Sequence, residues 1–251
     1  MEKELFGAIR DNYFNASKQM WKWRKYKNFF IRSITLPWIL VASIIMKIIG
    51  LLFGLGVVLD IISIWLMKRR NSTISMIDSS ANNLRYSATA YFSTPIKCAI
   101  LAPIVLLLGI IPKWSTTLVV AIHPDIDVSF GTEHGYFKLA GKSYANLAKM
   151  FFVGINKHGI FFTIIAFPIA IIVAPISFII ACFFFALIIL DWFGWLVSML
   201  RKFVVSSSEK MANASGKNIL YVVLMPIFLI LFVPIYIALL LIPKIATYDR
   251  T

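Results

Sequence analysis

Apolar residues along this chain fall into two long blocks and two shorter segments, set apart by polar stretches rich in lysine and arginine. The long blocks cover residues 29–67 and about 160–200; the shorter segments cover 98–111 and about 219–242. A single helix through the first block would be about 58 Å long, nearly twice the hydrocarbon thickness of a bilayer. Each block is therefore expected to turn back on itself, the first near Lys47–Gly50, and to form two membrane helices. With the shorter segments this predicts about six membrane helices in an all-α integral membrane protein.

Each long block follows an amphipathic stretch. Leu5, Phe6, Ile9, Tyr13, Ala16 and Met20 recur at helical spacing, with Lys3, Arg10 and Lys18 between them. Phe137, Ala140, Tyr144, Leu147 and Phe151 repeat the pattern, with Lys138, Lys142 and Lys149 on the other side. One apolar face and one cationic face suit a helix lying in the headgroup plane, or one packed on a partner protein. "WKWRKYK" follows the first stretch, and its mixture of aromatics and cations is the chemistry of the membrane–water interface. Trp21, Trp23 and Arg24 are read as interface anchors.

The likeness between the two halves extends along the whole chain. At an offset of 131 positions, Glu2 meets Glu133, Phe6 meets Phe137, Tyr13 meets Tyr144, and Asp60 meets Asp191. Arg70 falls on Arg201, Asn82 on Asn213, and Pro37, Pro95, Pro103 and Pro112 each fall on a proline. Apolar composition can inflate matches of isoleucine and leucine, but not matched prolines and aspartates at one offset. The pattern predicts a tandem duplication, 1–120 and 132–251, joined by a linker at 121–131. Each copy is expected to hold three membrane helices after one interfacial amphipathic helix. Both copies end on the triplet Ile-Pro-Lys, read as a stop: proline discourages further helix, and Lys113 or Lys244 anchors at the headgroups.

Three helices per copy is an odd number, which would make the copies inverted repeats, as in many transporters. Cations would then be shared almost evenly between the two membrane faces. Blocks that dip into one leaflet and return would place nearly all cations on one face, in better accord with the positive-inside rule. Lys47 opposes that alternative, because a hairpin tip would bury its ammonium in hydrocarbon.

Composition agrees with a membrane chain. Hydrophobic residues make up 60% of it and the mean hydropathy is +0.84, where soluble domains hold about 45–50% apolar residues. The formal net charge of +14 comes from cations that flank apolar segments, which points to anionic lipid headgroups and not to nucleic acid. Cys98 and Cys182 lie in apolar stretches and form no disulfide framework. The first 18 residues contain no apolar core of the kind a cleaved signal peptide needs.

Candidate chemistry is sparse. Asp60 and Asp191 sit at equivalent positions inside apolar runs, about 12–15 Å below the predicted interface, where a carboxylate suggests a proton or cation site. The structural alternative is an aspartate hydrogen-bonded to a neighbouring helix. His123, Asp125, Asp127 and His134 cluster around the linker and are weak metal-ligand candidates; Pro124 and Gly131 read equally well as a turn-rich connector. No nucleophilic triad and no phosphate-binding glycine loop is recognisable, so no cofactor is expected.

The expected function is non-enzymatic: a structural or assembly subunit of a membrane complex, or a membrane-shaping protein. Its expected partners are a bilayer with anionic headgroups, other membrane-protein subunits or a second copy of itself. The alternative is a small inverted-repeat transporter or channel using Asp60 and Asp191. A membrane-embedded enzyme built on residues 123–134 ranks third.

Overall fold

The computed structural model describes residues 2–25, 27–111, 117–119, 135–155 and 157–242. These residues are helical apart from short connections and a three-residue antiparallel ladder between β1 (Glu2–Glu4) and β2 (Thr117–Val119). The helices are α1 (Leu5–Lys22), α2 (Phe29–Leu55), α3 (Val57–Asn83) and α4 (Ala90–Ile110), then α5 (Tyr136–Ile155), α6 (Ile160–Ala186), α7 (Ile188–Ala214) and α8 (Ile219–Leu241). Lys113, Lys244, His123, Asp125, Asp127, His134 and the linker 121–131 lie outside the described residues.

Four helical stretches are long and apolar enough to cross a membrane: Phe29–Asn83, Ala90–Ile110, Phe162–Ala214 and Ile219–Leu241. Each of the two long stretches is made of two 27-residue helices, α2 with α3 and α6 with α7. The first does not turn at Lys47–Gly50, since α2 runs through those residues to Leu55. The only interruption is Gly56, whose backbone stays in the right-handed helical region (φ −68°, ψ −13°). Its N–H bonds to the Phe53 carbonyl, and its own carbonyl receives Leu59, so one tight turn carries α2 into α3. Leu187 plays the same part between α6 and α7, with its N–H on Phe184.

The prolines do not stop these helices. Pro37 lies within α2, Pro168 and Pro175 within α6, and Pro226 and Pro234 within α8. A proline removes the donor for the carbonyl four residues earlier. Pro226 thereby frees the carbonyl of Val222, and the Trp38 indole N–H donates to that oxygen at 3.2 Å.

The chain forms two compact units, and their membership differs from the sequence halves. The first holds α1, α2, residues 57–64 of α3, residues 196–214 of α7 and α8. The second holds α5, α6, residues 188–195 of α7, residues 65–83 of α3 and α4. Each unit thus joins the front of one half to the back of the other. The paired helices α1 and α5, α2 and α6, and α3 and α7 all begin 131 residues apart.

In the first unit, α1 packs antiparallel along α2. Phe6 lies against Gly56, Phe14 against Gly50, and the Ser17 and Ser43 hydroxyls meet at 2.6 Å. Leu5, Ile9, Tyr13, Ala16 and Met20 are buried in one core with Ile39, Met46, Phe53, Leu229 and Tyr236. The apolar face of α1, expected to rest on lipid or on a partner protein, is covered by the chain's own helices. The second unit repeats this arrangement, with Tyr136, Phe137, Tyr144, Leu147 and Phe151 of α5 buried beside Phe184 and Tyr91. The solvent-facing sides of α2 and α6 carry Phe29, Phe30, Ile34, Leu55, Ile160 and Ile164, all more than two-thirds exposed.

Candidate functional site

Asp60 and Asp191 occupy the first turns of α3 and α7 and are wholly buried, at 0% and 1% exposure. The Asp60 carboxylate accepts the backbone N–H groups of Phe6 at 3.5 Å and Gly7 at 3.2 Å, in the first turn of α1. The Asp191 carboxylate accepts Phe137 N–H at 3.2 Å and Lys138 N–H at 3.1 Å, in the first turn of α5. The first N–H groups of a helix have no partner within it, and its N-terminus carries a partial positive charge. A carboxylate brought from a distant helix meets both needs. Gly135 keeps the approach open: a Cβ there would strike the Asp191 carboxylate.

Two arginines treat the opposite helix ends in the same way. Arg70 donates to the carbonyls of Leu108 at 2.6 Å and Ile111 at 3.2 Å, closing the C-terminus of α4. Arg201 donates to Leu239 at 2.8 Å and Ile242 at 2.6 Å, closing the C-terminus of α8. Both arginines are nearly inaccessible, at 2% and 1% exposure. A guanidinium suits the task because its planar fork reaches two carbonyls at once and stays charged when buried. In the second unit Arg70 also lies 5.6 Å from the Tyr136 ring centre, and its charge acts on Asp191. In the first unit Arg201 borders Leu5 and Ile9, on the helix that Asp60 caps.

A third matched pair consists of buried phenols. Tyr13 Oη donates to the Leu229 carbonyl at 2.6 Å, and Tyr144 Oη donates to the Cys98 carbonyl at 2.7 Å. Burial pushes both phenols well above the ordinary tyrosine range, so they remain donors.

No known protein family, curated protein or solved structure matches this chain.

Chemically, the charges that sequence reading singled out do the work of helix caps. Arg70 and Arg201 complete the caps, while Tyr13 and Tyr144 bond carbonyls inside α8 and α4; all four recur at the same 131-residue offset, which is the signal that could have found them. Sequence could not assign their role, because the groups they satisfy lie 38 to 216 residues away. Of the proposed interface anchors, Trp21 is exposed, with the Arg24 guanidinium 4.9 Å from its ring centre. Trp23 instead turns its indole N–H to the Ser215 carbonyl at 2.8 Å. Among the described residues no group of three histidine, cysteine or acidic side chains could hold a metal. The first unit also has an open groove of about 830 Å³ whose lining, including Phe6, Leu52, Phe53, Pro234 and Ile237, is apolar and suits hydrocarbon.

Proposed function

We propose that this chain is a non-enzymatic membrane protein that shapes the bilayer or holds a complex within it, built by duplication of one helical module. The observation that carries this reading is the use of the buried charges. Asp60, Asp191, Arg70 and Arg201 are engaged with helix termini, while the outer faces of α2 and α6 are apolar. A transported ion needs a polar lining that exchanges partners; carboxylates held by backbone N–H groups serve structure.

The duplication is supported by paired helices and paired caps at one offset. A module that exchanges its back half with a second copy, later fused to that copy, accounts for the interleaved membership of the two units. Cationic α1 and α5 packed along apolar α2 and α6 form hairpins with one polar and one apolar flank, a shape suited to wedging into a leaflet.

Reconstitution into liposomes of phosphatidylcholine and phosphatidylglycerol tests the proposal. The protein is expected to narrow or tubulate the vesicles in electron micrographs while they hold a proton gradient as well as protein-free vesicles do. A gradient that collapses with the wild-type chain, and survives with Asp60→Asn/Asp191→Asn, would establish the transport reading instead.

A further inference from the structure

The turn between α1 and α2 carries a constellation that owes nothing to the buried caps. Lys22, Lys25 and Lys27 converge with Trp23 and Asn28 on a surface cavity of about 450 Å³. All three lysines are exposed, and the one salt bridge among the described residues, Arg10–Asp11, leaves them out. The cavity walls are fixed. Trp23 is tied to Ser215, Asn28 accepts the Phe30 N–H at 3.1 Å and so caps α2, and Arg24 stacks on Trp21. Lys217, also exposed, stands two residues beyond the serine that Trp23 holds. Beside the lysines, Phe29 and Phe30 start α2 with 75% and 78% of their surface exposed.

The matching turn of the other half serves as an internal control. There Lys22, Arg24, Lys25 and Lys27 are replaced by Val153, Ile155, Asn156 and His158, and a single cation, Lys157, remains. That turn is also tied: the His158 ring nitrogen Nε2 meets the carbonyl of Leu84, 131 residues before Ser215, at 3.2 Å. The fold therefore does not need the cations. They are an addition confined to one copy.

Several cations around one cavity call for a ligand with several negative charges. The exposed phenylalanines beside them call for one that brings hydrocarbon. The geometry points to a binding site at the α1–α2 turn for a phospholipid headgroup bearing more than one phosphate, with its acyl chains against Phe29 and Phe30. This rests on the membrane reading above and adds a ligand class and a single location to it.

Native mass spectrometry of the detergent-solubilised full chain, titrated with diphosphatidylglycerol, tests the site. Lys22→Gln/Lys25→Gln/Lys27→Gln is expected to weaken retention roughly 100-fold, as loss of three interfacial cations implies. Replacement of the same lysines by arginine should restore it. Lys138→Gln/Lys142→Gln/Lys149→Gln removes equal charge from α5 and should retain the lipid like wild type; equal loss in both triple variants, or in neither, overturns the site. Inositol hexaphosphate should displace the lipid only in large excess, and displacement at equal concentration would reassign the site to a soluble polyphosphate. The readout is independent of vesicle shape. Bilayers that deform normally with the first triple variant, together with unchanged lipid retention, would sink the site and leave the proposed function standing.

Discussion

Tyr13 Oη donates to the Leu229 carbonyl at 2.6 Å, joining a helix near one end of the chain to a helix near the other. The reciprocal bond runs from Tyr144 to Cys98 at 2.7 Å, so the two halves are tied by one interaction used twice in opposite senses. Both phenols are fully buried and close on aromatic neighbours: Tyr13 stacks on Phe53 at 5.8 Å, and Tyr144 meets Phe184 at 5.5 Å. In the first unit these contacts, with Ser17–Ser43 and Asn12–Ser208, bind α1 to helices from both sequence halves.

Tyr13→Phe keeps the ring and deletes the donor. It is expected to lower stability by about 1–2 kcal/mol, because the Leu229 oxygen loses a buried partner. Thermal unfolding in detergent at one fixed scan rate should place Tyr13→Phe and Tyr144→Phe together, slightly below wild type. A single-mutant loss much larger for one than for the other would contradict their equivalence.

The same phenols predict a pH response. Burial raises their ionisation above the ordinary tyrosine value of about 10. A folded-state value above the unfolded one means that the stabilisation is fully present below pH of about 10 and is lost as pH rises toward the folded value. A tyrosinate absorbance titration should therefore leave buried phenols, Tyr13, Tyr136 and Tyr144 among them, protonated beyond the main transition until the chain unfolds. Tyr13→Phe/Tyr144→Phe should reduce the amplitude of that late step by two phenols.

Asp60→Ala and Asp191→Ala are expected to cost about 2–4 kcal/mol each, since buried N–H groups of α1 or α5 lose their acceptor. Asp→Asn retains an acceptor oxygen and should cost less. Circular dichroism melts of the four variants check the order. Alanine variants as stable as wild type would show that the carboxylates are not caps.

Two glycines separate tight packing from open space. A Cβ on Gly154 would meet the backbone oxygen of Leu84 at 2.6 Å and also the Tyr91 hydroxyl. Backbone cannot step aside, so Gly154→Ala should lose about 1–3 kcal/mol. A Cβ on Gly54 meets only the flexible Arg10 side chain, at 3.4 Å. Gly54→Ala should be tolerated or slightly stabilising through its better helix propensity. The comparison of the two melting temperatures decides.

Much of the helical layout was legible without coordinates. Apolar runs near Phe29–Leu55 and Ile219–Leu241 exceed what soluble helices carry, and the 131-residue offset between paired positions is a property of the string of residues. The periodic apolar positions of α1 and α5 lie on buried faces, because spacing determines which side chains share a side. It did not say what covers that face. Lipid, a partner and the chain's own helices all satisfy the same pattern, and only the folded chain chose α2 and α8 for α1, and α6 and α4 for α5.

Local signals misled at the long blocks. Length alone argued for a turn at Lys47–Gly50, yet a helix turns only where its hydrogen bonding is broken, and Gly56 keeps helical dihedrals. The roles of Asp60, Asp191, Arg70 and Arg201 were hidden for a related reason. Each serves a helix terminus far away in sequence, and a carboxylate in an apolar run looks the same whether it binds a cation or a helix end. Sequence by itself determined the apolar character, the helical periods and the paired positions, since these depend on the order of residues. Tertiary structure decided that each unit combines the front of one half with the back of the other, because pairing between distant segments follows from packing and hydrogen bonds that no local window contains.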